Sequence, residues 1–274
     1  MWSSINGVLN AVFDTLLWPF QGLPALWQVL VLAIPTTMVA LLAFRYTSNQ
    51  DGIRAVKNRI KANLLELRLY KDDFRVTMAA QGRILRNSLT YMRYGLVPMA
   101  VMILPFVLIL IQVESRYAFR CLHAGESTIL SIIVESETPV SALPVELVLP
   151  PGLSRETPAL RIDSTAEIFW RLRADGPGDY PVTIRLGNEG VNKRVVVAEE
   201  GQKISPFIFR SNDIQALAYP MEPHLDAETI VSEIGIEYPR NLVEFGGLSS
   251  ASWALFGMCL VLGLLLRRFF KVTF

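Results

Sequence analysis

Apolar and polar positions follow three different periods along this chain. The first is no period at all: three apolar runs, Leu26–Phe44, Gly95–Val113 and Ser250–Leu266. Each approaches the roughly 20 residues that a helix needs to cross a hydrocarbon core of about 30 Å. Pro35 sits in the middle of the first run beside Thr36 and Thr37. A proline there frees a backbone carbonyl and kinks the helix, and Thr side chains help to re-satisfy it. Pro98 and Pro105 interrupt the second run.

The second period is helical. Trp2, Ile5, Leu9, Val12, Phe13, Leu16 and Phe20 recur at spacings of three and four, with Ser3, Asn6, Asn10 and Asp14 on the other side. Next to a membrane span, such a stripe predicts an interfacial amphipathic helix over residues 1–24, with Pro24 breaking the run. The alternative is the start of a long, bent first span. Between the first two apolar runs, Ile53, Val56, Ile60, Leu64 and Leu67 step by three and four. The stripe stops at Lys71-Asp72-Asp73 and resumes at Phe74, Met78, Ile84 or Leu85, and Leu89. Two arms of about twenty residues predict an antiparallel coiled-coil hairpin. Lys71, Asp72 and Asp73 form its tip, and Asp72 or Asp73 caps the second arm. One continuous helix would instead carry the next span away by roughly 60 Å.

The third period is two. Thr128–Val134, Leu143–Leu149, Thr165–Arg173, Tyr180–Leu186, Asn192–Ala198, Pro206–Arg210 and Ser232–Tyr238 are short runs rich in apolar or β-branched residues. Ala166, Ile168, Trp170 and Leu172 alternate with Glu167, Phe169, Arg171 and Arg173, and Gly187-Asn188-Glu189-Gly190 reads as a hairpin turn. About seven strands in this span predict a β-sandwich. Asp175-Gly-Pro-Gly-Asp179-Tyr180 resembles the turn before a tyrosine corner of immunoglobulin-like domains, with Trp170 in the core.

The net charge of +1 and mean hydropathy of +0.36 hide an asymmetry. Arg45–Arg93 holds eleven Lys/Arg against four Asp/Glu, and Ser115–Leu248 twelve against nineteen. Positive charge stays in the cytoplasm. The expected organisation is therefore an α + β membrane protein with three transmembrane helices. Residues 1–24 are the interfacial helix, 25–45 the first span, 46–94 a cytoplasmic hairpin and 95–114 the second span. Residues 115–248 are an extracytoplasmic immunoglobulin-like β-sandwich, and 249–274 a third span with a basic tail inside. The N-terminus lies outside, and the location is an integral membrane one, the bacterial inner (plasma) membrane. The leader, whose one charge is Asp14, lacks the positive region of a cleavable signal. Cys121 and Cys259, one past the second span and one inside the third, are expected to be free.

Catalytic signatures are missing. The chain has no G-x-x-x-x-G-K-[ST], G-x-G-x-x-G or G-x-S-x-G motif, and its histidines are His123 and His224. His123 beside Cys121 is too few ligands for zinc. The expectation is a non-enzyme without cofactor or metal. The basic hairpin suits nucleic acid or ribosome contact, but equally anionic lipid headgroups.

An amphipathic leader, an N-out span, a cytoplasmic hairpin, a proline-bearing span and a final span together resemble the core of the YidC/Oxa membrane-protein insertase superfamily. The likeness is to its small three-span members, the archaeal YidC-like proteins and the related subunit of the endoplasmic-reticulum membrane complex. It rests on residues 1–114 and 249–274, on the hairpin text Ile60-Lys-Ala-Asn-Leu-Leu-Glu66-Leu-Arg68-Leu-Tyr-Lys71-Asp-Asp73, and on Gly95-Leu-Val-Pro98-Met. The resemblance implies a polar groove that shortens a client's path through hydrocarbon, where polar groups are costly. Its candidate residues here are Thr36, Thr37, Arg45, Tyr91, Arg93 and Tyr94. Arg45 and Arg93 also suit snorkelling, and the tyrosines an interfacial belt. Two functions follow. One is an insertase-like or chaperone-like protein that assists client membrane proteins. The other is a non-catalytic scaffold subunit that packs on partner transmembrane subunits, with its β domain binding an extracytoplasmic protein.

Overall fold

The computed structural model describes residues 2–70, 72–136, 138–187, 189–198, 203–241 and 250–270, and of residues 2 and 3 the backbone alone. Lys71 of the expected hairpin tip and Asn188 of the expected turn lie outside the described residues. Among those described, the chain is α + β, with five α-helices and two antiparallel sheets. It divides into two compact units: Met1–Gln28 with Leu110–Trp253, and Val29–Ile109 with Ala254–Phe274.

The first unit contains the strands. Ser127–Val134 (β1), Val145–Val148 (β2), Leu153–Arg155 (β3), Leu160–Ile162 (β4), Glu167–Ala174 (β5), Gly178–Leu186 (β6), Glu189–Val197 (β7), Phe207–Phe209 (β8) and Val231–Ile236 (β9) follow in chain order. One sheet runs β3-β5-β1-β9-β8, with β4 also on β5; the other runs β2-β6-β7. Period two explains which side chains meet. In β5, Ile168, Trp170, Leu172 and Ala174 are buried and Arg171 and Arg173 are not. They join Leu130, Ile132, Val182, Ile184, Val195 and Ile234 in one apolar core fed by both sheets. Each of the seven expected runs holds a strand. The three-residue β3 and β4 are additional, because alternation is not legible over so short a run. Tyr180 is fixed from two sides. Its hydroxyl donates to the Gly176 carbonyl at 3.0 Å. Gly152, at φ +107°, lies so close that a Cβ would stand 2.3 Å from the Tyr180 hydroxyl.

The leader forms a helix, Trp2–Leu17 (α1), followed by a 3-10 turn at Trp18–Phe20 that Pro19 opens. Its orientation differs from a simple stripe. Asn6, Phe13 and Leu17 are buried, while Val8 and Val12 are exposed. The side expected to be polar and outward turns inward because it finds hydrogen-bond partners. Asn6 Nδ2 donates to the Ala216 carbonyl at 3.1 Å and Asn10 Nδ2 to the Pro220 carbonyl at 2.7 Å. Asp14 accepts from Arg116 Nη1 at 2.7 Å and Lys203 Nζ at 2.6 Å. Burial would raise the Asp14 carboxyl, but the Lys203 and Arg116 bonds outweigh it and hold it below the usual range.

The second unit contains most of the remaining helices: Ala25–Thr47 (α2), Gln50–Leu69 (α3), Phe74–Tyr117 (α4) and Ala251–Leu266 (α5). Asn49 caps α3 through Gly52 N at 2.9 Å, and Asp73 caps α4 through Arg75 N at 3.0 Å and Val76 N at 3.2 Å. Arg83 reaches back to Glu66 at 2.7 Å and Asn63 at 3.3 Å, so α3 and the start of α4 run antiparallel. There is no break at Tyr94–Gly95: the second arm and the following apolar run are one helix. Cys259 Sγ lies 3.7 Å from the Ala33 carbonyl, and Phe106 meets Phe256 edge to face at 6.4 Å. α2 and α4 are long and apolar enough to cross a membrane; α5, at 16 residues, is apolar but shorter.

Candidate functional site

The expected groove residues do not form a constellation. Thr36 and Thr37 are buried, and their hydroxyls donate at 2.7 Å to the Leu32 and Ala33 carbonyls of their own helix. Such back-bonding satisfies a hydroxyl in an apolar setting and leaves it no donor for a ligand. Arg45 is exposed and eight residues further along α2, a rise of about 12 Å. Tyr91 and Tyr94 are half-buried on α4, and Arg93 is exposed. Among the described residues, no hydrogen bond or ion pair joins these four to Thr36 or Thr37. Asp72 and Asp73 border an open hollow of about 610 Å³ with Tyr70, Phe74 and Arg75. There Asp73 acts as the helix cap.

The most built-up polar site lies instead on the β unit. A cleft of about 690 Å³ opens beside β7. Val191, Ile208, Met221 and Leu225 give it apolar walls, and Asp179, Asn192, Arg194 and Asp226 give it polar ones. Alternation turns Lys193 toward the core, in line with Val195 and Val197. Its side chain is 0% exposed and its ammonium lies 2.8 Å from Glu222, itself 7% exposed. It also donates to the Ser205 carbonyl at 2.6 Å. Burial pushes the Lys193 amine below the usual lysine range, and Glu222 opposes that shift. Arg194 is held by Asp179 at 3.3 Å and by the Lys203 carbonyl at 2.6 Å.

His224 also lines the cleft, and its Nε2 meets Asn6 Nδ2 of α1 at 3.3 Å. Burial lowers the pKa of His224, so the ring is neutral at ordinary pH and its Nε2 can accept from the amide. Sequence reading missed this site. A lysine at an inward position of a strand is a visible anomaly at Lys193, but its partners come 12 and 29 residues later. Within the arrangement, the lysine and the carboxylate bond one another.

The sequence matches no protein-family model and no curated protein. Among solved structures, domains 4 and 5 of the S-layer protein SbsC are similar over 30% of this chain and 47% of that one, at a TM-score of 0.24 and 12% identity. The chain thus spans about half the length of that structure, and a likeness this slight carries no functional argument.

Proposed function

We propose that this chain is a membrane-anchored, non-catalytic scaffold subunit whose β domain binds an extracytoplasmic protein. The observation that carries the reading is the cleft beside β7: an open polar site in the β unit, while Thr36 and Thr37 are closed onto their own helix. The membrane part of the reading is supported by exposure. Only 33% of the apolar stretch in α2 and 17% of that in α4 is buried, unlike the core helix of a soluble protein. α5 serves as a third span. The basic hairpin lies in the cytoplasm and the acidic β unit outside, in a bacterial plasma membrane. The bond from Tyr180 back to Gly176 supports an immunoglobulin-like sandwich.

A second reading, an insertase-like or chaperone-like protein, draws support from the hairpin. Its arms are tied by Arg83 and Glu66, and Leu65, Leu69 and Phe74 stand exposed near its turn, among Arg68 and Arg75. Clients, ribosomes or anionic lipids are the partners that such a surface suits. Photocrosslinking in native membranes from Arg45 and from Asp226 separates the readings. One constant protein at Asp226, with lipid alone at Arg45, is the expected outcome. A spread of newly made membrane proteins at Arg45 would make the insertase-like reading the better one.

A further inference from the structure

Strand β7 has one paired edge and one partly open edge. It pairs with β6 along its whole length, Leu186 opposite Glu189 through Gly178 opposite Val197. In a two-residue hairpin the closing pair exchanges hydrogen bonds, and bonded and non-bonded pairs then alternate. Val191, Lys193 and Val195 therefore bond β6, while Gly190, Asn192, Arg194 and Val196 turn their N–H and C=O groups away from it. Two observations fix this phase. Pro181, which has no N–H, stands opposite Arg194. Val196 N donates away from β6, to the Tyr238 hydroxyl at 2.9 Å, and its carbonyl accepts from Leu122 at 3.4 Å.

Those bonds cover one end of the edge. At the other end, the Glu189 carboxylate accepts from Thr229 at 2.8 Å and Ile230 N at 3.4 Å. Between them, Asn192 and Arg194 direct backbone donors and acceptors toward the cleft. No backbone partner among the described residues bonds them. An unpaired strand edge is a template for another strand.

We propose that this open stretch of β7 takes an extended, basic segment of a partner protein as an added strand. The partner's main chain bonds Asn192 and Arg194. Charge selects the partner. Lys193 and Arg194 are already engaged by Glu222 and Asp179, which leaves Asp226, exposed and without an ion pair among the described residues, to set the sign of the site. From Gly190 to Val195 the edge is about 17 Å long, room for five or six partner residues. Its side chains meet the apolar Ile208, Met221 and Leu225 and the acidic Asp226, which line the same cleft. The bound segment thus combines apolar residues with Lys or Arg.

The proposal rests on the reading of the β domain as a binding module, and its test is separable from that reading. The probe is a labelled hexapeptide of alternating lysine and valine. It is titrated by fluorescence anisotropy against the full chain in nanodiscs of uncharged phosphatidylcholine. Wild type binds it. Asn192→Pro removes an outward N–H that makes no bond to β6, and affinity falls by about tenfold or more, as for the loss of one or more main-chain bonds. The same peptide N-methylated at every second residue loses binding to wild type. Asp226→Asn weakens binding and flattens its salt dependence. Equal affinity for the N-methylated peptide, or for an alternating glutamate–valine peptide, overturns the proposal. So does dimerisation of the chain that Asn192→Pro abolishes, which makes the occupant a second copy. If the peptide fails while Asp226 still crosslinks to one constant protein, strand addition is wrong and the binding reading stands.

Discussion

Replacing Glu222 by leucine tests the polar heart of the β unit. The Lys193 side chain is fully buried, and its two acceptors are Glu222 Oε1 and the Ser205 carbonyl. Leucine removes the charge and one acceptor while keeping most of the volume. A buried ammonium left without its counter-charge costs about 3–5 kcal/mol, a large share of a typical domain stability of about 5–15 kcal/mol. The double variant Lys193→Met/Glu222→Leu removes both charges and returns to wild-type stability or exceeds it, by up to about 4 kcal/mol. The pH dependence has a fixed sign. Burial already holds the Lys193 amine below its ordinary value, and loss of Glu222, which opposes that shift, lowers it further. Between its folded and unfolded values the unfolded chain binds more protons, so stability rises with pH. The penalty of Glu222→Leu therefore shrinks between neutral pH and about pH 10. The assay is the urea dependence of alkylation at Cys121, a thiol buried in the same core. A penalty below about 0.5 kcal/mol, the size of an ordinary surface change, refutes the reasoning. So does a penalty that is the same at both pH values.

Four further outcomes are expected. Gly152→Ala places a methyl on the Tyr180 ring at positive φ and costs more than about 2 kcal/mol, whereas Tyr180→Phe loses one hydroxyl bond for about 1 kcal/mol; urea midpoints rank the two. Asp14→Asn leaves the Arg116 side chain, 7% exposed, without its carboxylate, and hydrogen exchange of Asn6–Phe13 speeds up; wild type does the same in acid, as the pH falls through the lowered Asp14 value. The Arg120 fork on Glu126, 2.9 Å on both arms, holds that carboxyl down to about 2. Its stabilisation is complete above the ordinary glutamate range and is lost as pH falls toward that value; Arg120→Lys reduces it by less than about 1 kcal/mol in acid titrations, since the pair is a third exposed. Thr37→Val leaves membrane-protein insertion in depleted cells unchanged, because the hydroxyl is already bonded to Ala33; a block in insertion would reinstate Thr37 as a groove residue.

Much of the fold was legible. Inward Ile168, Trp170 and Leu172 follow from strict alternation, and Asp73 as a cap follows from a short acceptor placed where the stripe restarts. What was not legible depends on distant partners. The α1 pattern shows that two faces differ. It does not show that Asn6 and Asn10 find carbonyls about 210 positions later, which turns the polar face inward. The continuity of α4 was hidden because composition changes abruptly at Gly95, and Gly95 with Pro98 three residues on reads as a helix end, yet the helix runs through both. Lys193 carried a signal, a cation in an inward register. Its meaning needed Glu222 and Ser205 beside it.

The bond from Asn6 to Ala216 also has a meaning in time. Its partners are separated by 210 residues of sequence. At a synthesis rate of about 5–20 residues per second, the helix exists for roughly 10–40 s before the carbonyl it binds has been made. During that interval Asn6 has only water, lipid or a helper protein to satisfy it, whereas Asn10 and Asp14 can meet Gln112 and Arg116 about halfway through. Helix α1 is thus made well before it is fully seated. A factor that guards new chains would find it unseated over that time.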